Sequence, residues 1–268
     1  MNRLSKLFST CACARRAALI MYATAGYPDL ETSEQAIEGA IANGADIIEL
    51  GVPFSDPMAD GPVICDAARQ ALANGVTLSQ ILGMAARIRQ RHAKVGLVLF
   101  SYMNVLFNHG LERLCREFAA LGGDGLLVVD LPLEERGELL PLCQTYGLHL
   151  IPLVSPVTPR ERMRQIVADA TGFIYYVSAL GTTGVREVLN HDLAERVRQA
   201  RAISPVPVVV GFGVSSGLMA HHIAQFADGV VAGSAFVRCF ADTRPFAEQL
   251  ATANLLVREL ADNLQVGK

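Results

Sequence analysis

The sequence predicts an α/β fold: a (β/α)8 TIM barrel with an N-terminal leading helix, in a single domain spanning residues 1–268. Three observations point to it. The chain has 268 residues, close to the roughly 250 of one such barrel. Its apolar residues, 51% of the total, gather in short runs bounded by Gly, Pro or Asp, as buried strands do. Those runs alternate with amphipathic helical stretches, and repeated β-α units imply a parallel sheet. Eight units most often close into a barrel; an open, doubly wound sheet is the alternative.

Residues 1–16 carry Arg3, Lys6, Arg15 and Arg16 and no acid. That composition is weakly like a transit peptide. A secretory apolar core is missing and a strand starts almost at once, so the segment reads as a leading helix packed on the barrel. Strands begin near Ala18 (ALIMYATAG), Asp46 (DIIELGV), Gly96 (GLVLFSYM), Gly125 (GLLVVDL), His149 (HLIPLVS), Phe173 (FIYYVS), Pro207 (PVVVGFG) and Gly229 (GVVAGSAFV). Between them lie helical stretches such as EQAIEGAIANG, LERLCREFAALG, LEERGELLPLCQTYG, RERMRQIVADA and LAERVRQARAI. Several end in Gly, the residue that closes helices. Successive strand starts lie 22 to 34 residues apart, except the 50 between Asp46 and Gly96. Extra chain is therefore inserted after the second strand, and residues 53–62 are a place to look for chemistry, because functional loops of such barrels follow the strand C-termini.

Composition excludes several classes of function. Net charge is −3, and the 23 basic residues are scattered, so nucleic acid is not an expected partner. No apolar stretch reaches the roughly 18 residues that span a bilayer. The six cysteines form no C-x-x-C pair and read as free thiols of a reducing cytosol. The three lysines, Lys6, Lys94 and Lys268, fall at no strand C-terminus, which argues against an imine-forming aldolase. The six histidines show no metal-ligand spacing at that face, so no metal is expected; His221 and His222 are adjacent in a helix and point apart.

The second strand carries the most informative residue. Side chains alternate along a strand. Ile48, Leu50 and Val52 make an apolar face for covering helices, which turns Ile47, Glu49 and Gly51 toward the barrel interior. A carboxyl placed there is costly when charged, so its pKa should rise, as suits a general acid/base. The other possibility is a rim Glu paired with an arginine or solvated. Eleven residues on, Asp60 lies in GVPFSDPMADGP beside Asp56 and three prolines. An acid on this loop and one on the strand can flank a substrate from two sides, although each Asp could merely cap a turn. The sixth strand puts Phe173, Tyr175 and Val177 on one face, so Tyr175 can line the pocket or simply fill the core.

Glycine-rich turns follow the last three strands: Gly181-Thr182-Thr183-Gly184, Gly211-Phe212-Gly213 and Gly233-Ser234. Such turns bring backbone N–H groups close to an anion, and Ser234 can open a short helix. Turns after strands seven and eight with such a helix form the phosphate site of many barrels; ordinary tight turns are the alternative. Acid/base chemistry on a phosphorylated small molecule remains.

These residues resemble one family. ELGVPFSDPMADGPVI looks like the signature of the tryptophan synthase α chain, and the similarity continues through ALIMYATAGYPDLE, VVDLPLEE, GFIYYVSALGTTG, GFGVSS and DGVVAGSAFV. The resemblance implies a lyase that splits indole-3-glycerol phosphate into indole and glyceraldehyde 3-phosphate in tryptophan biosynthesis. It implies Glu49 and Asp60 as catalytic acids and Tyr175 as the pocket tyrosine. Gly184, Gly213, Gly233 and Ser234 would hold phosphate, while Tyr22, Phe100, Leu127, Thr183 and Phe212 would line the pocket. Asp130 would support Thr183 when a closing loop, residues 179–190, shuts over the site. The family chain carries no cofactor; its β partner carries pyridoxal phosphate, and a cytoplasmic α2β2 heterotetramer is expected. Asp56, Pro57, Asn104, Asn108 and Pro132 fall where the β subunit would dock. A stand-alone indole-producing lyase, a catalytically silent subunit and another phosphosugar barrel are the alternatives, and the Glu49–Asp60 pair argues against silence. The chain departs from the family pattern at Cys65, Gln70 and Val105, and SSGLMAHHIAQFADG lacks the usual Pro-Glu helix start.

Overall fold

The computed structural model describes residues 2–177, 186–211 and 213–267. Thr183, Gly184, Phe212 and residues 179–185 of the expected closing loop lie outside them. A leading helix α1 (Arg3–Cys13) precedes β1 (Ala18–Thr24), α2 (Leu30–Ala42) and β2 (Ile47–Gly51). Two helices, α3 (Pro62–Ala73) and α4 (Leu78–Arg91), separate β2 from β3 (Gly96–Ser101). Next come α5 (Met103–His109), α6 (Leu111–Ala120), β4 (Gly125–Val128), a 3-10 turn (Leu133–Glu135) and α7 (Leu139–Tyr146). The strands β5 (His149–Ile151) and β6 (Leu153–Val154) follow, then α8 (Arg160–Val167), β7 (Ile174–Val177), α9 (Arg186–Ile203) and β8 (Val208–Gly211). The chain ends through α10 (Gly217–Ala224), β9 (Gly229–Ala232), α11 (Ser234–Arg238) and α12 (Phe246–Asp262).

All strand pairs in the sheet are parallel, in the order β5-β4-β3-β2-β1-β9-β8-β7-β6. The two ends of that sheet, β5 and β6, are consecutive in the chain with only Pro152 between them, so the sheet returns on itself as a nearly closed barrel. Proline has no N–H to give the ladder, which breaks there; the Pro152 carbonyl still accepts from the Tyr175 N–H at 3.0 Å. The eight expected strands are thus present, the fifth as two pieces. The extra chain after β2 is a whole additional helix. One expected helix is corrected: residues 133–147 are not continuous but split into the 3-10 turn and α7, with Gly137 at the break.

Alternation along the strands sorts side chains into two layers. Leu19, Met21, Ile48, Leu50, Leu97 and Leu99 pack outward against the helices. Ile20, Ile47, Val98, Leu127, Ile151, Phe173, Val209 and Val231 fill the barrel interior. Helix α1 closes the lower end of that interior: Leu4, Phe8 and Cys11 join the same cluster, and the Phe8 and Phe173 rings lie 5.8 Å apart. Three aspartates brace this N-terminal end. Asp46, Asp124 and Asp228 each precede a strand and accept a neighbouring strand's N–H, from Leu19 at 2.8 Å, Leu97 at 2.8 Å and Val208 at 2.9 Å. Each also meets arginine: Arg16 for Asp46, Arg3 and Arg89 for Asp124, Arg201 for Asp228. Arg3 thereby ties the leading helix to β4 from below.

Candidate active site

The C-terminal end of the barrel is built differently. On β2, Ile47 joins the interior and Ile48 and Leu50 face the helices, so Glu49 points inward, as its alternation requires. It is 0% exposed. Neither carboxyl oxygen has a hydrogen-bond partner among the described residues, and burial pushes its pKa up to about 8. The expected inward acid is therefore neutral at pH 7. The rim reading, with an arginine partner, is not what the structure shows.

Two tyrosines share the space. Tyr22 on β1 stands beside Glu49 in register, and Tyr175 comes from β7. Each leans over a glycine on an adjacent strand. A Cβ on Gly51 would lie 2.3 Å from the Tyr22 hydroxyl, and one on Gly211 would lie 2.2 Å from the Tyr175 hydroxyl. No larger residue fits at either place without moving a ring. Burial raises both phenol pKa values, and the nearby Glu49 and Asp60 raise them further. Both phenols stay protonated, so each can donate its one proton and accept a hydrogen bond at the oxygen. Tyr22 Oη also lies 3.4 Å from Thr24 Oγ1. Phe100 meets the Tyr22 ring edge-on at 5.0 Å, and Leu127 is fully buried below.

Asp60 is half-buried on the loop between β2 and α3. Burial raises its pKa, and the Tyr102 hydroxyl opposes this by donating to Oδ2 at 2.9 Å. The Tyr22 phenol senses the charge of both Asp60 and Glu49. Of the turns expected to bind phosphate, those at Gly213 and at Gly233-Ser234 lie at the same end. Gly213 is left-handed, with φ +81°. Gly233 packs on Tyr22, whose Cβ would be 3.1 Å from an added Cβ, and Ser234 opens α11. Gly184, Thr183 and Phe212 fall outside the described residues.

Other expected positions are scattered around the mouth. Asp130 is exposed and accepts the Met103 N–H at 2.8 Å, which caps α5; its expected partner Thr183 is not described. Asp56, Asn104, Asn108 and Pro132 are exposed and Pro57 is half-buried. Among them sit two exposed apolar side chains, Met58 at 96% and Phe107 at 52%. Tyr102, and the clearance that Gly51 gives the Tyr22 ring, escaped the sequence reading. Tyr102 continues the inward alternation of Phe100 by two, a signal that was available. Among the described residues no three of His, Cys, Asp and Glu cluster as a metal ligand set. A cleft of about 1060 Å³ lies at the opposite, N-terminal face between α1 and the strand starts. Its acid, Asp228, is paired with Arg201, so it offers no free acid like Glu49.

A family model for the tryptophan synthase alpha chain matches residues 8–265. The chain belongs to that family. The tryptophan synthase alpha chain of Chloroflexus aggregans is 42% identical over 260 residues, 97% of each chain. That of Geobacter sp. strain M21 is 45% identical over 240 residues, 90% of each chain. The crystal structure of tryptophan synthase subunit alpha from Legionella pneumophila str. Paris superposes with a TM-score of 0.90 at 34% identity, covering 98% of both chains. The structure also accounts for places where the chain departs from the usual family pattern. Cys65 donates its thiol to the Asp60 carbonyl at 3.5 Å. Gln70 and Asn74 both reach the Pro28 carbonyl, at 3.4 and 2.7 Å. Helix α10 lacks the Pro-Glu start but is capped by Ser216, which accepts from the Met219 N–H at 3.4 Å.

Proposed function

We propose that Glu49 and Asp60 divide the acid/base work of the tryptophan synthase α reaction, the lyase cleavage of indole-3-glycerol phosphate. The observation that carries this assignment is a fully buried, unpartnered carboxyl with a raised pKa, beside phenols that also sense the charge of Asp60. Glu49 enters protonated and gives its proton to indole C3. Asp60, ionised, accepts a hydrogen bond from the indole N–H and stabilises the positive charge that develops on the ring. The Glu49 carboxylate then takes the proton of the side-chain hydroxyl. The C–C bond breaks, its electrons return to the ring, and indole and glyceraldehyde 3-phosphate leave. The ring itself is the electron sink, so the step needs neither an imine lysine nor a metal. Tyr175 and Tyr22 wall the reacting carbon, and Gly213, Gly233 and Ser234 present N–H groups to the phosphate; Gly184, the other expected phosphate residue, lies outside the described residues.

The chain needs no cofactor of its own; in this family pyridoxal phosphate is carried by the β subunit, which takes the indole on to L-tryptophan in an α2β2 complex. The mouth residues Asp56, Pro57, Asn104, Asn108 and Pro132, with the exposed Met58 and Phe107 among them, are the docking surface in this proposal. No described helix is long and apolar enough to cross a membrane. Six free cysteines fit a reducing cytoplasm. Steady-state cleavage by Glu49→Gln and Asp60→Asn, with and without the β subunit, tests the assignment. Each folded variant should lose at least about 100-fold in rate; retention of more than roughly a tenth of the wild-type rate by either removes that residue from the mechanism.

A further inference from the structure

The Asp60 loop has no secondary structure of its own, yet it is held at both ends by one ring. Tyr102 follows β3 and is 5% exposed. Its hydroxyl accepts the Ala59 N–H at 3.0 Å and donates to Asp60 Oδ2 at 2.9 Å. One phenol thus bonds two successive loop residues, and its single proton is committed to the carboxylate. Phe54, at the start of the loop, packs against the same ring, centroids 5.0 Å apart and planes 31° apart. From the other side, the Cys65 thiol reaches the Asp60 carbonyl. The helix that begins beyond Tyr102 is fixed in turn by Asp130 on the Met103 N–H.

We infer that Tyr102 is a positioning residue that holds Asp60 with one carboxylate oxygen satisfied and the other left for the substrate N–H. The inference rests on the assignment of Asp60 made above. A carboxylate on a free loop would rotate and sample several orientations, and only a fraction would face the ring nitrogen. The phenol removes that freedom without touching substrate. It also favours the charged form that Asp60 needs, because a hydrogen bond donated to a carboxylate opposes the effect of burial.

Tyr102→Phe removes the hydroxyl and keeps the ring. A hydrogen bond to a charged group corresponds to about 10- to 100-fold in rate. The expected result is a fall in kcat of that size with KM for indole-3-glycerol phosphate changed less than about threefold, since the phosphate and ring contacts remain. The acid limb of kcat/KM should move to higher pH, because Asp60 loses the donor that opposes its desolvation. The other titratable groups around Asp60 are Tyr22 on β1, Glu49 on β2, Cys65 on α3 and Tyr175 on β7. Glu49 stays neutral well above that limb, and burial holds the phenols of Tyr22 and Tyr175 higher still. Added to Asp60→Asn, Tyr102→Phe should cost little more. An unmoved acid limb, or losses that multiply in the double variant, overturns the inference. If Asp60→Asn alone keeps the wild-type rate, the assignment of Asp60 fails instead. Phe54→Leu gives a second check that spares the hydroxyl: it should lower kcat less and shift the limb less, and a larger effect than that of Tyr102→Phe would locate the control in loop packing rather than in the phenol.

Discussion

Replacing Glu49 by Gln should make the protein more stable, and the gain should depend on pH in a calculable way. The carboxyl titrates near 8 when folded and near its ordinary 4.5 when unfolded. Between those values the unfolded chain has released a proton that the folded chain retains, so wild-type stability falls as pH rises through the window. Glutamine has the same shape, is never charged, and leaves the same two polar positions unpartnered. At pH 5 the difference between the proteins from this source is small, about 1 kcal/mol. At pH 8 it reaches about 4 kcal/mol, from roughly three and a half pKa units at 1.36 kcal/mol each, less the part of Glu49 already ionised. All other titrations are common to both proteins and cancel in the comparison. Urea unfolding at pH 5, 6, 7 and 8 measures it directly. The variant should gain on wild type steadily, by about 3 kcal/mol over the series, while losing its lyase activity. A difference that stays flat within about 0.5 kcal/mol would mean that Glu49 is ionised in the folded state and that the burial argument is wrong.

Two further outcomes follow from the same geometry. kcat/KM should be bell-shaped in pH: its basic limb lies near 8, where Glu49 loses the proton it must deliver, and its acid limb lies above the ordinary carboxylate range, where Asp60 becomes neutral; a rate profile level from pH 7 to about 9.5 would reject Glu49 as the proton donor. At the opposite end of the barrel, Asp124→Ala should destabilise by about 3–5 kcal/mol, since it leaves Arg89 and the Leu97 N–H without their buried partner; a midpoint of urea unfolding unchanged from wild type would show that water replaces the carboxylate without cost.

What could be read from the sequence was what has a local period. Alternation in DIIELGV sufficed to turn Glu49 inward, because covering helices demand Ile48, Leu50 and Val52 on the other face. The same rule brings Tyr175 and Phe100 inward, and it would have delivered Tyr102. The rest depends on contacts between segments far apart in the chain. Nothing near Gly51 announces that Tyr22 will lie across it, and nothing near Gly211 announces Tyr175, because the clearance belongs to the adjacent strand. The aspartates before β2, β4 and β9 look like turn residues until the arginines from α1, the segment before β1, α4 and α9 arrive. The leading helix was recognisable as a helix, but its use as the plug of the barrel follows only from where Leu4 and Phe8 end up. The break of residues 133–147 was missed because an amphipathic pattern spans Gly137 undisturbed, and one glycine costs about 1 kcal/mol, too little to decide the matter locally.

The two ends of the barrel treat acidic residues in opposite ways, and the contrast bears on mechanism. At the N-terminal end Asp46, Asp124 and Asp228 each receive a backbone N–H and an arginine, so their charge is compensated and they join adjacent strands. At the C-terminal end Glu49 receives neither. A sequence under selection for stability alone would place an apolar residue there, or an arginine beside the carboxyl, because an unsatisfied buried carboxyl works against folding at neutral pH. No arginine among the described residues bonds Glu49, and the only groups shown to sense its charge are the phenols of Tyr22 and Tyr175, which cannot neutralise it. That absence of compensation keeps the proton on the carboxyl near pH 7, where an arginine partner would strip it away and leave an anion unable to protonate carbon. The instability at Glu49 and its capacity as an acid thus have one cause. A substitution that relieves the first by supplying a cation should abolish the second even with the carboxyl still in place.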